Sequence, residues 1–71
     1  MRTWLINSRK QADMTQRELA NMVEISQNHY SAIENGDRRP SPKVSKRIAG
    51  VLGFDWTLFY EIPSEGVKRT I

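Results

Sequence analysis

Cysteine is missing from this chain of 71 residues, so it has neither a disulfide framework nor thiolate metal ligands. With a single histidine, His29, it cannot assemble a zinc site either, and no cofactor is expected. Long apolar runs are also missing. The amino terminus, Met-Arg-Thr-Trp-Leu-Ile-Asn, lacks the apolar segment of a signal peptide, and no stretch is long enough to cross a bilayer, so the expected location is the cytoplasm, without membrane contact. No glycine-rich phosphate loop and no nucleophile with a base beside it can be picked out, which argues against an enzyme and leaves the catalytic set empty. The length allows one small domain, close to the lower limit at which an apolar core holds a fold without staples.

The net charge is +3, and its distribution says more than its sum. Arg38, Arg39, Lys43, Lys46 and Arg47 form a basic block with no acid inside it, suited to phosphates. Between residues 53 and 67 the only charges are Asp55, Glu61 and Glu65, which would repel a DNA backbone.

Capping signals divide the chain into five helices, and no strand is expected. A first helix is predicted from about Thr3 to Ala12, where Trp4, Leu5 and Ile6 offer more apolar surface than one stripe needs, so one of the three is expected at the surface. Thr15 followed by Glu18 is a capping box, which starts a second helix at Gln16 with Leu19, Ala20 and Val23 facing inward. After a tight turn, Ser26 caps a third helix that Gly36 stops. Tyr30 and Ile33 share its inner face, while Gln27, Asn28, Ser31 and Ala32 lie away from it. Amides and small groups on such a face can read base edges in a major groove, and amides suit adenine best. Ser41 and Pro42 open a fourth helix with Val44, Ile48, Val51 and Leu52 as its apolar stripe and Gly53 as its stop. Asp55 is placed to cap a short fifth helix through Trp56, Leu58, Phe59 and Tyr60, ended by Pro63. The core is expected to comprise Leu19, Val23, Ile25, Tyr30, Ile33, Ile48, Leu52, Phe54 and Phe59. Residues 1–61 thus read as one domain and residues 62–71 as a polar tail.

Thr15-Gln16, Glu18-Leu19-Ala20, Ile25-Ser26-Gln27, Ile33-Glu34-Asn35-Gly36, Pro40-Ser41-Pro42, Ile48-Ala49 and Leu52-Gly53 occur in the order and spacing of a known family. Over roughly residues 3 to 61 the chain resembles the Cro and lambda-repressor type of helix-turn-helix proteins, also called the xenobiotic-response-element family. The resemblance implies an all-α, five-helix lambda-repressor-like domain in which the second and third helices form the helix-turn-helix. It also implies a DNA-binding transcription regulator, by family habit a repressor of prophage or mobile-element type. Two departures stand out. Asp13 and Glu24 occupy turn positions where the family usually has glycine, and a left-handed backbone there would cost a residue with a Cβ about 1 kcal/mol or more.

By the same resemblance, Gln27, Asn28, Ser31 and Ala32 contact bases. Phosphate contacts fall to Arg9, Gln16, Arg17, His29, Asn35, Arg38 and Arg39, with a base edge or a solvated flank as alternatives for His29. Gln16 would brace Gln27 while holding a phosphate. Arg9 and Glu34 match a salt bridge between the first and third helices, against the alternative of two exposed charges. The last helix often supplies a two-fold contact, which points to Trp56 and Leu58. The partners expected are a double-stranded DNA operator and a second copy of the chain, since one domain reads only a few base pairs. The rival reading is an antitoxin-like or protein-interaction module, whose acidic, aromatic carboxy-terminal segment holds a regulatory protein. Single-stranded RNA is disfavoured because the basic block contains no aromatic residue.

Overall fold

The structure, a computed structural model, describes residues 1–61; the expected tail 62–71, with Lys68 and Arg69, lies outside the described residues. Five helices follow one another: α1 (Thr3–Gln11), α2 (Gln16–Met22), α3 (Gln27–Asn35), α4 (Pro42–Leu52) and α5 (Leu58–Glu61). Their ends obey local chemistry. The Thr15 hydroxyl accepts from the Glu18 amide at 3.1 Å and the Glu18 carboxylate accepts from the Thr15 amide at 2.8 Å, a complete capping box on α2. The Ser26 and Ser41 hydroxyls cap α3 and α4 by accepting from the His29 and Val44 amides, and each such oxygen stabilises its helix by about 1 kcal/mol. Gly36 (φ 86°) and Gly53 (φ 82°) take the left-handed conformation that closes α3 and α4.

The fifth helix starts two residues later than its sequence predicts. Asp55 accepts from the Thr57 amide (3.0 Å) and hydroxyl (2.7 Å), which bends the chain through a turn at Trp56 and Thr57 before helix begins at Leu58.

Leu5, Leu19, Ala20, Val23, Tyr30, Ile33, Ile48 and Phe59 form the buried core, so the four helices from α1 to α4 and the short α5 converge on one apolar centre. Each large side chain among them contributes about 1.5–3 kcal/mol by leaving water. Ile25, Leu52 and Phe54, expected in the core, pack against it half-buried. None of Trp4, Leu5 and Ile6 is fully exposed, contrary to the sequence expectation: Leu5 enters the core, and Trp4 and Ile6 are half-buried. Trp4 finds cover because Phe54 and Phe59 meet its ring edge-on at 5.2 and 5.1 Å, a three-ring cluster that ties α1 to the carboxy-terminal end.

Asp13 (φ 58°) and Glu24 (φ 63°) both hold left-handed backbone angles. The glycine-like turns are therefore kept without glycine, and the strain is stored at the two joints that set α1 against α2 and α2 against α3.

Candidate nucleic-acid interface

The third helix divides its residues cleanly. Tyr30, Ile33 and Glu34 are buried, Gln27, Asn28 and Asn35 are exposed, and His29, Ser31 and Ala32 lie half-buried along the flank. This follows from the helical period, which turns residues 30, 33 and 34 toward α1 and α2 and leaves the first turn of α3 in solvent. The Ser26 cap holds that first turn in place.

Beside it opens a cleft of about 460 Å³ lined by Arg9, Met14, Thr15, Gln16, Arg17 and Gln27. Two cations and two amides line it and none of these six residues is acidic, a donor-rich surface of the kind that accepts an anion. Arg9 contributes little free charge there. Its Nε donates to Glu34 Oε2 at 2.7 Å and its Nη1 to the Met14 carbonyl at 2.8 Å, so the expected salt bridge between α1 and α3 exists and is largely shielded from solvent. Arg17 is exposed and supplies the cleft's uncommitted charge.

Gln16 does not brace Gln27 directly. Its Nε2 donates to Glu34 Oε1 at 2.9 Å, and the two glutamines share the cleft wall instead. Glu34, itself buried, ties Arg9 and Gln16 of this wall together: Tyr30 also donates to its Oε2 at 2.6 Å, so three side chains from three helices converge on one carboxylate. Burial pushes the Glu34 carboxyl up, yet the hydrogen bonds from Arg9, Tyr30 and Gln16 outweigh it, and the net value lies below the ordinary carboxylate range. Arg9 moves the opposite way, held protonated more firmly by its bond to Glu34. The Tyr30 hydroxyl is pushed up by burial and by the neighbouring carboxylate, and so stays a donor. The sequence places Tyr30 in the core and gives it no polar role; its spacing of four from Glu34 on one helix is the signal that could have revealed the bond.

The basic block does not act as a unit. Arg38 and Arg39 are exposed on the loop after α3, as phosphate contacts would require. Arg47 is turned inward and donates to the Val23 carbonyl at 3.3 Å, closing the end of α2. Lys46 stands 4.9 Å over the Trp56 ring and Arg39 5.9 Å over the Tyr60 ring. Aromatics and cations separate in sequence are thus interleaved in space. Trp56 and Leu58 are half-buried rather than exposed; the large hydrophobics that stand out in solvent are Met1 and Met22.

Among the described residues no helix is long and apolar enough to cross a membrane, and no group of three or more histidine or acidic side chains could hold a metal ion.

Two short helices joined by a tight turn, the second offering polar side chains beside a cationic cleft, define a DNA-binding helix-turn-helix domain. The helix-turn-helix family HTH_3 matches residues 5–59, and the chain belongs to it. It is similar to the uncharacterized HTH-type transcriptional regulator YqaF of Bacillus subtilis (strain 168), with 49% identity over 61 residues, 86% of this chain and 80% of that protein. A second relative, an uncharacterized HTH-type transcriptional regulator of Methanothermobacter thermautotrophicus, is 40% identical over 53 residues, 75% of this chain and 77% of its own length. No solved structure gives a significant match. The chain is a DNA-binding transcriptional regulator of the HTH type, a non-enzymatic class.

Proposed function

We propose that residues 1–61 read a specific duplex operator through the major groove, with Gln27 and Asn28 as the principal base-contacting side chains. The observation that carries this is their exposure on the capped first turn of α3, directly beside the cleft of Arg17 and Gln16. Either amide can pair bidentately with adenine. Ser31 and Ala32, half-buried one turn along, are the further base contacts, and their small side chains let the helix approach the base edges closely.

Arg17, Gln16, Arg38, Arg39 and Asn35 position the backbone, with His29 at the flank. Arg9 belongs to the positioning set through Glu34 and Gln16 rather than by a free guanidinium.

A second copy of the chain supplies the second half-site, about 34 Å along the duplex, with Trp56 and Leu58 nearest the two-fold contact. Occupancy of a promoter by such a dimer represses it by excluding polymerase, the mode of a prophage or mobile-element repressor. Selection of bound sites from random duplex DNA at near-physiological salt tests the reading. A two-fold motif with half-sites one helical turn apart is expected, and an unenriched pool would overturn it.

A further inference from the structure

Arg2 is a cation placed where a surface residue would be expected, only 6% exposed; among the described residues its side chain donates to main-chain carbonyls and stands 5.9 Å over the Phe59 ring. Its Nη1 donates to the Ile33 carbonyl in the last turn of α3 and, at 3.2 Å, to the Arg38 carbonyl in the following loop. Its own amide donates to the Glu34 carbonyl at 2.7 Å. The Ile33 carbonyl also accepts from the Gly36 amide at 3.2 Å, and the guanidinium adds a second donor at the helix end that carries the negative pole. Burial, and then the charge of Arg39, make protonation of Arg2 harder than usual, and among the described residues no carboxylate is a hydrogen-bond partner of its side chain.

What Arg2 holds is the loop that carries Arg38 and Arg39. The Asp37 and Arg38 amides turn back onto the Ala32 carbonyl at 3.0 and 3.2 Å, and on the far side the Tyr60 hydroxyl donates to the Pro40 carbonyl at 2.9 Å. Arg2 joins the end of the reading helix to this loop through a single nitrogen. We infer that Arg2 is a positioning residue for DNA binding: by bridging the Ile33 and Arg38 carbonyls it sets the exposed guanidinium groups of Arg38 and Arg39 at fixed distance and angle from the bases read by α3. This rests on the operator-reading role proposed above. Preorganisation of this kind raises affinity because the loop need not be ordered when DNA arrives.

The test is the salt dependence of binding to duplex DNA. The slope of log K against log salt falls by about 0.9 for each phosphate that the protein no longer neutralises. R2M is expected to lower the slope by about 0.9 to 1.8, and to speed amide exchange at Asp37 and Arg38. In its background R39A should remove less slope than it does in the parent. V51A, a trimming of the core margin on α4, provides a variant of lowered stability, and it should keep the parental slope when measured where both variants are folded. If R2M does not fold, R2K takes its place, since an ammonium one atom short on a flexible stem cannot span both carbonyls. A folded R2M or R2K protein with parental slope and parental exchange overturns the inference. A parent protein without salt-dependent duplex binding would instead overturn the operator-reading role.

Discussion

The Tyr30 hydroxyl donates to Glu34 Oε2 at 2.6 Å, one turn along the inner face of α3. Through Glu34 the same bond reaches Arg9 on α1 and Gln16 on α2, so the core and the wall of the cleft share one carboxylate.

Removing the hydroxyl with Y30F leaves the ring packed but takes one donor from a buried carboxylate. The expected loss is about 1–3 kcal/mol, because a charged acceptor loses a partner it cannot replace with water. E34A removes the hub and strands Arg9 in a site where its side chain is 12% exposed, at a cost of about 3–5 kcal/mol. Urea unfolding of both variants checks the order, and an E34A protein as stable as Y30F would contradict it.

Acid should destabilise the fold through Glu34. Its folded value lies below its unfolded one, so the unfolded chain takes up this proton first. The contribution is fully present above the ordinary carboxylate value of about 4.3 and is lost as pH falls through the lower folded value. Thermal melting between neutral and strongly acid pH should show a fall in this window that E34Q flattens. An unchanged profile in E34Q would place the acid sensitivity elsewhere.

Glycine at the second turn should stabilise the protein. Glu24 holds φ 63° and Asp13 holds φ 58°, and aspartate tolerates that conformation better than glutamate. E24G is expected to gain about 1 kcal/mol and D13G less, after allowance for the extra entropy of an unfolded glycine. A lowered melting temperature in E24G would show that its side chain supplies more than the strain removes.

Reading and gripping should separate in binding experiments. Q27A is expected to lower discrimination at one base pair by about 1–3 kcal/mol while leaving the salt slope intact. R17A should weaken all sequences alike and reduce the slope by about 0.9. Titrations of the selected operator and a scrambled duplex across salt concentrations distinguish the two, and the reverse pattern would exchange the assigned roles.

Most of the scaffold is legible in the sequence because its signals are local. Thr15 with Glu18, Ser26, Ser41 with Pro42, and the glycines at 36 and 53 each act within one helical turn, and each ends or starts a helix where its chemistry requires. The short α5 is less legible, since a four-residue helix has no period to detect and Asp55 could serve a turn as readily as a cap. The Arg9–Glu34 pair follows from the family resemblance, and the structure adds Tyr30 and Gln16 to it.

Sequence alone determined where the helices lie, which face of each is apolar, and that a polar first turn of α3 follows a tight turn. These depend on neighbours a few residues apart, and the period of the helix does the rest. Only the tertiary structure decided the fate of individual charges. Arg2 and Arg47 carry the same charge as Arg17 and Arg38, yet the first two end on carbonyls of other segments while the last two are exposed. The difference is made by which chain segments meet in space, 31 residues apart for Arg2 and Ile33 and 24 for Arg47 and Val23, and no local pattern encodes such a meeting.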